Sequence, residues 1–266
     1  MKKEMEDFER RFAELMRGSV LPMDAVLRYV GAVPGKRLRP QLVFLTAKLF
    51  GEVNESTCRT ALFVELLHTA TLIHDDVVDT SDTRRGQPSV NAQWDNKTAV
   101  LAGDYLLAKA MRLLSNPEDR LILNEMLDVA MSMSEGELMQ NGERNGEALN
   151  EAKRVKTENG ELYLDIITLK TARLIQACCV GGALSVTGEK MKLVGDFGID
   201  FGLLFQMRDD ILDHDNPETT ALAERLLPEY LKKTISDLDA LAPYAVHQEA
   251  LVSLREWTVF CATRNH

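Results

Sequence analysis

Two long, mostly apolar stretches of this chain run into the same acidic signature, Asp75-Asp76-Val77-Val78-Asp79 and Asp209-Asp210-Ile211-Leu212-Asp213. At about 100° per residue, a helix sets the first and last Asp of each copy one turn apart on one face, with the middle Asp beside them. Three like charges so placed repel each other unless a cation lies among them. Hard carboxylate oxygens suit Mg²⁺, which keeps several waters and shares its shell with phosphate oxygens. Two such clusters facing one another imply a cradle for a diphosphate.

The rest of the pattern is helical as well. Apolar-rich runs of helical length cover residues 42–50, 59–79, 99–114, 121–140, 163–184 and 191–213, while strand-like alternation is scarce. Proline and glycine at Val33-Pro34-Gly35, Arg85-Gly86-Gln87-Pro88, Asn116-Pro117 and Asn216-Pro217 punctuate these runs, and Pro117 and Pro217 suit first helical turns. Residues 141–160, rich in Gly, Asn and charge, predict a mobile loop. With 266 residues and 45% apolar content, the expectation is one all-α domain over 1–266 with a substantial core. A net charge of −10 argues against nucleic acid, whose phosphates need a basic stripe. The charged opening, Met1 to Arg11, and the lack of a long uninterrupted apolar run predict no signal peptide and no membrane span, hence a cytoplasmic protein. Cys58, Cys178, Cys179 and Cys261 lack metal-ligand spacing and read as free thiols.

His68 lies seven residues before Asp75, so both point the same way two turns apart. Phe63, Leu67, Ala70 and Thr71 form a neighbouring stripe that runs down the helix away from the carboxylates. A diphosphate at the Asp cluster would send an apolar tail along that stripe, with Ala70 leaving room and Phe63 as a floor. The same stripe would equally serve plain packing against another helix. Cationic partners for phosphate are available in Gly35-Lys36-Arg37-Leu38-Arg39-Pro40, Arg84-Arg85-Gly86 and Lys170-Thr171, each also readable as a solvated surface residue. His74, about 100° from Asp75 around the helix, reads as a structural hydrogen-bonding residue.

These strings, with His68 to Asp79 (HTATLIHDDVVD), Gly103-Asp104-Tyr105, Lys170-Thr171-Ala172 and Phe205-Gln206 to Asp213, closely resemble the trans-isoprenyl diphosphate synthases of the polyprenyl synthetase family, in order and in spacing. The resemblance implies a class I terpenoid synthase helical bundle with a central cavity, usually a homodimer. It implies condensation of isopentenyl diphosphate with an allylic prenyl diphosphate, through an allylic cation, to give an all-trans chain one five-carbon unit longer, with the departed diphosphate taking the proton. By position in the family pattern, Lys36, Arg39, His68 and Arg85 resemble the isopentenyl diphosphate site, and Arg84, Lys170, Thr171 and Gln206 the allylic diphosphate site. Asp75, Asp79 and Asp209 are the first-choice ligands for Mg²⁺, three ions per site when substrate is bound. Asp213 is a further ligand, with Asp76 and Asp210 behind them, and Lys170 joins the catalytic set. Because Thr71 and Ala70 stand where members stopping at fifteen carbons commonly carry an aromatic residue, the expected product has twenty carbons or more, such as a quinone side-chain precursor.

The chain departs from the family after Asp213. Where a Gly-Lys pair, a Gly-x-Asp and another Gly-Lys are usual, it reads HDNPETTALAERLLPEYLKKT, as though an internal segment beyond about residue 214 were deleted. The lysine that would grip the allylic diphosphate is missing. Lys232 and Lys233 are either substitutes or a solvated pair. An alternative function is therefore a non-catalytic or weakly active subunit that pairs with a complete synthase. A terpene cyclase of the same fold fits poorly, because cyclases lack the isopentenyl site that Lys36, Arg39 and Arg85 resemble.

Overall fold

A computed structural model describes residues 1–33, 35–144, 160–214 and 216–265. The helices are α1 (Lys2–Leu15), α2 (Leu21–Gly31), α3 (Leu38–Phe50), α4 (Glu55–Val78), the short α5 (Val90–Gln93), α6 (Asn96–Leu113) and α7 (Arg120–Arg144). They continue with α8 (Glu161–Ile167), a π-turn (Thr168–Ala172), α9 (Arg173–Thr187), α10 (Lys192–Asp213), α11 (Pro217–Leu241) and α12 (Gln248–Thr263). The one extended pairing among the described residues is a two-stranded hairpin, β1 (Thr83–Arg84) with β2 (Gln87–Pro88). The expectation of an all-α bundle agrees with this architecture.

Helix α9 forms the axis of the bundle. Most of its residues from Leu174 to Leu184 are buried, and α3, α4, α7 and α10 pack around it, which is why its sequence is apolar on every side. A Cβ at Gly182 would stand 2.4 Å from the Val43 carbonyl, so this glycine sets how closely α9 approaches α3. Residues Glu161–Thr187 are long and apolar enough to cross a membrane by composition, but 67% of that window is buried inside the protein, as in a core helix.

Helix α4 starts at a reciprocal cap, with the Asn54 side chain accepting from the Thr57 amide at 3.0 Å and Thr57 Oγ1 accepting from the Asn54 amide at 3.3 Å. The helix is 24 residues long, and its mostly apolar course leads into the acidic signature at its C-terminal end. The second signature ends α10, where His214 turns the chain with a φ of 51°. Asn216 caps α11 by accepting from the Glu218 and Thr219 amides at 2.9 and 3.3 Å, and Pro217 occupies its first turn. Helix α11 packs on α10, and α12 packs on α11, α10 and α3. The mobile loop expected over 141–160 is corrected at its start, since α7 continues through Arg144; residues 145–159 lie outside the described residues.

Candidate active site

The first acidic signature sits at the C-terminal end of α4, where the helix dipole already disfavours negative charge. Its three carboxylates meet different surroundings. Asp76 turns inward, is 3% exposed, and accepts from Arg84 Nε at 2.9 Å and from a second Arg84 nitrogen. Asp79 is exposed at the helix end. Asp75 is half-buried, and burial, with Glu137 and Asp79 adding repulsion against the pull of Lys170 and Arg84, pushes its carboxyl up to about 6.

Arg84 and Arg85 reach the site on the β1–β2 hairpin. Its two-residue turn, Arg85-Gly86, has positive φ at both positions, 51° and 80°, which matches the twist of the strands. An arginine in the first of these positions is conformationally unfavourable, a cost found where a side chain must be aimed.

The second signature is handled differently. Asp209 pairs with Arg264, which arrives from just beyond α12. Asp210 accepts from Tyr163 Oη at 2.6 Å and from Gln206 Nε2 at 2.8 Å. Gln206 Oε1 in turn accepts from Thr171 Oγ1 at 2.8 Å. Lys170, one residue before, donates to Glu137 at 2.5 Å and to Gln140 at 2.6 Å. Both residues lie in the π-turn, a helical irregularity common at functional sites. It is clamped from two sides: a Cβ at Gly136 would fall 2.8 Å from the Lys170 amide nitrogen, and one at Gly202 would fall 2.6 Å from Ala172 Cα. One turn of chain thus links the two signatures, with Lys170 acting on the Asp75 charge and Thr171 bonded through Gln206 to Asp210.

Beside the signatures lies a cavity of about 830 Å³, whose walls include Lys36, Arg39, His68, Arg85, Phe205 and Arg264. The Nε atoms of Arg39 and Arg264 are buried there without hydrogen-bond partners. Burial and the nearby guanidinium groups of Arg39, Arg85 and Arg84 hold His68 well below the ordinary imidazole range, so its ring is neutral at pH 7. Arg37, in the same string as Lys36 and Arg39, has a structural role. It bonds Glu65 at 2.6 Å and Glu9 at 2.9 Å and stands 4.4 Å over the Phe12 ring.

Phe63, Leu67 and Ala70 are each 1% exposed and sit in close packing, and Thr71 returns its hydroxyl to the His68 carbonyl at 2.9 Å. The cavity of about 830 Å³ does not reach this stripe. His74 Nε2 lies 3.2 Å from the Val100 carbonyl and 3.5 Å from Asp104, in a space kept open by Gly103, which accounts for the Gly103-Asp104 string.

The six-carboxylate expectation narrows. Asp76 and Asp210 are bonded to protein donors, and among the described residues no three His, Cys, Asp or Glu side chains are grouped closely enough to hold an ion as placed. The condition of Asp75 still fits a cation, which would stabilise the ionised carboxylate against the burial and the neighbouring negative charges that raise it. Lys233 is not a substitute in this arrangement: it sits 3.5 Å from Glu229 and over the Tyr230 ring, and Lys232 is exposed. Arg264 instead occupies the space beside Asp209. The sequence reading missed Arg264, Glu137, Gln140 and Tyr163. The Gly136-Glu137 pair, with Gln140 one turn on, was a usable signal for two of them.

The sequence profile of the polyprenyl synthetase family matches residues 22–222. The chain is 38% identical over 198 residues to the all-trans-nonaprenyl-diphosphate synthase (geranyl-diphosphate specific) of Rhodobacter capsulatus, covering 74% of this chain and 58% of that one. It is 34% identical over 228 residues to the octaprenyl diphosphate synthase of Haemophilus influenzae, covering 84% of this chain and 66% of that one. The chain therefore spans about three fifths of the length of these curated relatives. Among solved structures, the geranyltranstransferase of Thermotoga maritima superposes with a TM-score of 0.84 at 25% identity, over 99% of both chains. The polyprenyl synthase of Caulobacter crescentus complexed with calcium and isoprenyl diphosphate superposes with a TM-score of 0.78 at 26% identity, over 100% of this chain and 96% of that one.

Proposed function

Because the chain belongs to the polyprenyl synthetase family, we propose that it is a trans-prenyltransferase, adding isopentenyl diphosphate to an allylic prenyl diphosphate. The observation that carries this reading is the π-turn, whose Lys170 and Thr171 tie the surroundings of Asp75 to those of Asp210. Asp75, Asp79 and Asp209, with Asp213 at the margin, would hold Mg²⁺, up to three ions with substrate, and the bound metal supplies neutralisation of charge on a departing diphosphate.

The chain's own residues then have distinct tasks. Lys170, Thr171 and Gln206 bind and orient the allylic diphosphate, and Arg84, which holds Asp76, is within reach of the same charge. Lys36, Arg39 and Arg85 bind the isopentenyl diphosphate. Neutral His68 can donate an N–H to it without adding positive charge beside a carbocation. The allylic C–O bond breaks with its electron pair leaving on the diphosphate. The alkene π pair of isopentenyl diphosphate forms the new C–C bond, and the proton lost from the adjacent carbon passes to the departed diphosphate. No protein base is required, and an apolar enclosure for the growing chain would keep water from the cation.

The product has twenty carbons or more, since neither Ala70 nor Thr71 is bulky. A homodimer fits the exposed apolar residues on α6 and α7, where Leu101, Met131 and Leu138 are 53%, 60% and 73% exposed. Free thiols at Cys58, Cys178, Cys179 and Cys261 suit a reducing cytoplasm.

The test is incubation of the purified protein with Mg²⁺, isopentenyl diphosphate and allylic starters of several lengths, expecting elongated products. The pairing of Arg264 with Asp209 favours a second reading, a weakly active or non-catalytic subunit of a complete synthase. No product from any starter, with stimulation of an added full-length synthase, would select that reading.

A further inference from the structure

Each acidic signature has a basic side chain beside it, and the two are handled in opposite ways. Arg264 pairs directly with Asp209. Lys170 is close enough to Asp75 to pull on its charge, yet its Nζ donates to Glu137 Oε2 at 2.5 Å and to Gln140 Oε1 at 2.6 Å. Both acceptors come from α7, three residues apart and so on one face of the helix. Gly136 makes the reach possible, since a Cβ there would fall 2.8 Å from the Lys170 amide nitrogen and push α7 off the π-turn. Stability alone does not account for Glu137. Its side chain is 14% exposed, and its charge opposes ionisation of Asp75, an effect second only to burial. A further carboxylate beside a crowded signature is unfavourable unless the lysine needs it.

We propose that Glu137 and Gln140 are positioning residues for Lys170: they fix two of its N–H groups, keep the ammonium off Asp75, and leave the third N–H for the allylic diphosphate. An ammonium carries three donors on a flexible stem. Left free beside Asp75, it would pair with that carboxylate, as Arg264 does with Asp209, and compete with a metal ion there. Held by two acceptors of one helix, it keeps its charge at the site and presents one N–H in one direction, while Asp75 stays open to a cation. Gly136, Glu137 and Gln140 thus act as one unit. The inference rests on the proposed roles of Lys170 toward the diphosphate and of Asp75 toward the metal, and the experiment separates it from them.

The test compares Glu137→Gln with Glu137→Leu. Both lose the negative charge, and just the first keeps an oxygen for Lys170. In a calorimetric Mg²⁺ titration without substrate, the midpoint of Glu137→Leu is expected about threefold to tenfold above that of Glu137→Gln. Adding Lys170→Met to each should bring the two midpoints together, because no ammonium is then left to compete. Gln140→Leu changes no charge and should raise the midpoint about twofold or more over wild type, which keeps the test open should Glu137→Leu fail to fold. With allylic starter and saturating Mg²⁺ and isopentenyl diphosphate, kcat of Glu137→Leu is expected about tenfold below that of Glu137→Gln, with the same KM for isopentenyl diphosphate. Wild-type protein that binds no Mg²⁺ overturns the metal site and this inference with it. Wild-type protein that elongates no starter overturns the transferase reading, and the Mg²⁺ comparison still decides the placement of Lys170. Mg²⁺ binding by wild type with equal midpoints for Gln and Leu at position 137, or a difference that persists with Lys170→Met, overturns the positioning role alone.

Discussion

Arg264 pairs its guanidinium with the Asp209 carboxylate while lying over the Phe205 ring, 4.7 Å from its centroid. Its own carbonyl accepts from Arg208 Nε at 2.7 Å, so the segment after α12 is fastened to α10 by backbone and side chain together. Burial raises the Asp209 carboxyl and Arg264 draws it back down, which makes the arginine a stand-in for the cation proposed at this signature. A metal at Asp209 and Arg264 at Asp209 are competing occupants.

Replacing Arg264 by Gln should therefore tighten Mg²⁺ binding. With the competitor gone, the midpoint of a calorimetric Mg²⁺ titration moves about threefold to tenfold lower, a tenfold change corresponding to about 1.4 kcal/mol. The metal-free variant is expected to be less stable by about 1–2 kcal/mol, since Arg264 and Asp209 are 8% and 32% exposed and the pair is partly shielded from water. An unaltered midpoint would show that Asp209 holds no ion.

A second carboxylate pair, outside the site, gives the metal-free protein a pH dependence. Asp237 of α11 faces Asp200 of α10, with Asp196 adding repulsion and Lys192 opposing it, and burial together with Asp200 pushes Asp237 up to about 6. Asp237 Oδ2 is buried without a partner. A carboxyl whose folded value lies above its unfolded one favours the fold fully below the unfolded value of 3.8, and that contribution is lost as pH rises to about 6. Melting temperature in EDTA should fall across this window. Asp237→Asn, whose amide can donate to Asp200 at every pH, should flatten the fall and exceed wild type by about 1–2 kcal/mol at neutral pH. A wild-type profile flat between these values would remove the pair from the account.

The contrast between Asp75 and Asp76 shows where sequence reading ends. Helical spacing puts both at the same end of α4, yet Asp76 turns inward only because the hairpin brings Arg84 to it, a contact between elements. Helices α3, α4, α6, α7 and α10 were legible because each carries a long apolar run. Helix α1 was not, since its buried residues are just Phe8 and Phe12 in a charged segment, where they meet Arg37. The π-turn was hidden too. Its sequence is ordinary, and the closeness of Gly136 and Gly202 that accompanies it exists only in three dimensions. Arg264 carried no local signal, because its partner lies far away in the sequence.

The clamp on the π-turn can be tested with two glycines of one helix. In Gly202→Ala the added Cβ would lie 2.6 Å from Ala172 Cα, so backbone must move, at a cost of about 1–3 kcal/mol. The displaced turn carries Thr171 away from Gln206, and KM for the allylic substrate should rise. At Gly195 the nearest atom to a new Cβ is Gln176 Nε2 at 3.3 Å, and Ala there should be neutral or stabilising by up to about 1 kcal/mol through helix propensity. Equal thermal stability of the two variants would argue that the π-turn is not held by contact.

Chain length is tested at the two ends of the α4 stripe. Ala70 and Phe63 are both 1% exposed in close packing, so a growing prenyl chain would have to part these side chains as it lengthens. An aromatic ring at Ala70 stands nearest the carboxylates and should stop growth early, shifting products of Ala70→Phe to fewer isoprene units, at about 1–3 kcal/mol of stability for overpacking. Phe63→Ala opens space two turns further down and should shift products the other way, at about 3–5 kcal/mol for the lost packing. The two substitutions strain the same helix but move product length in opposite directions, so a shared loss of stability cannot mimic the result. Chromatography of the polyprenyl products reads it directly; the same distribution in wild type and both variants would place the growing chain elsewhere and leave the stripe as helix packing alone.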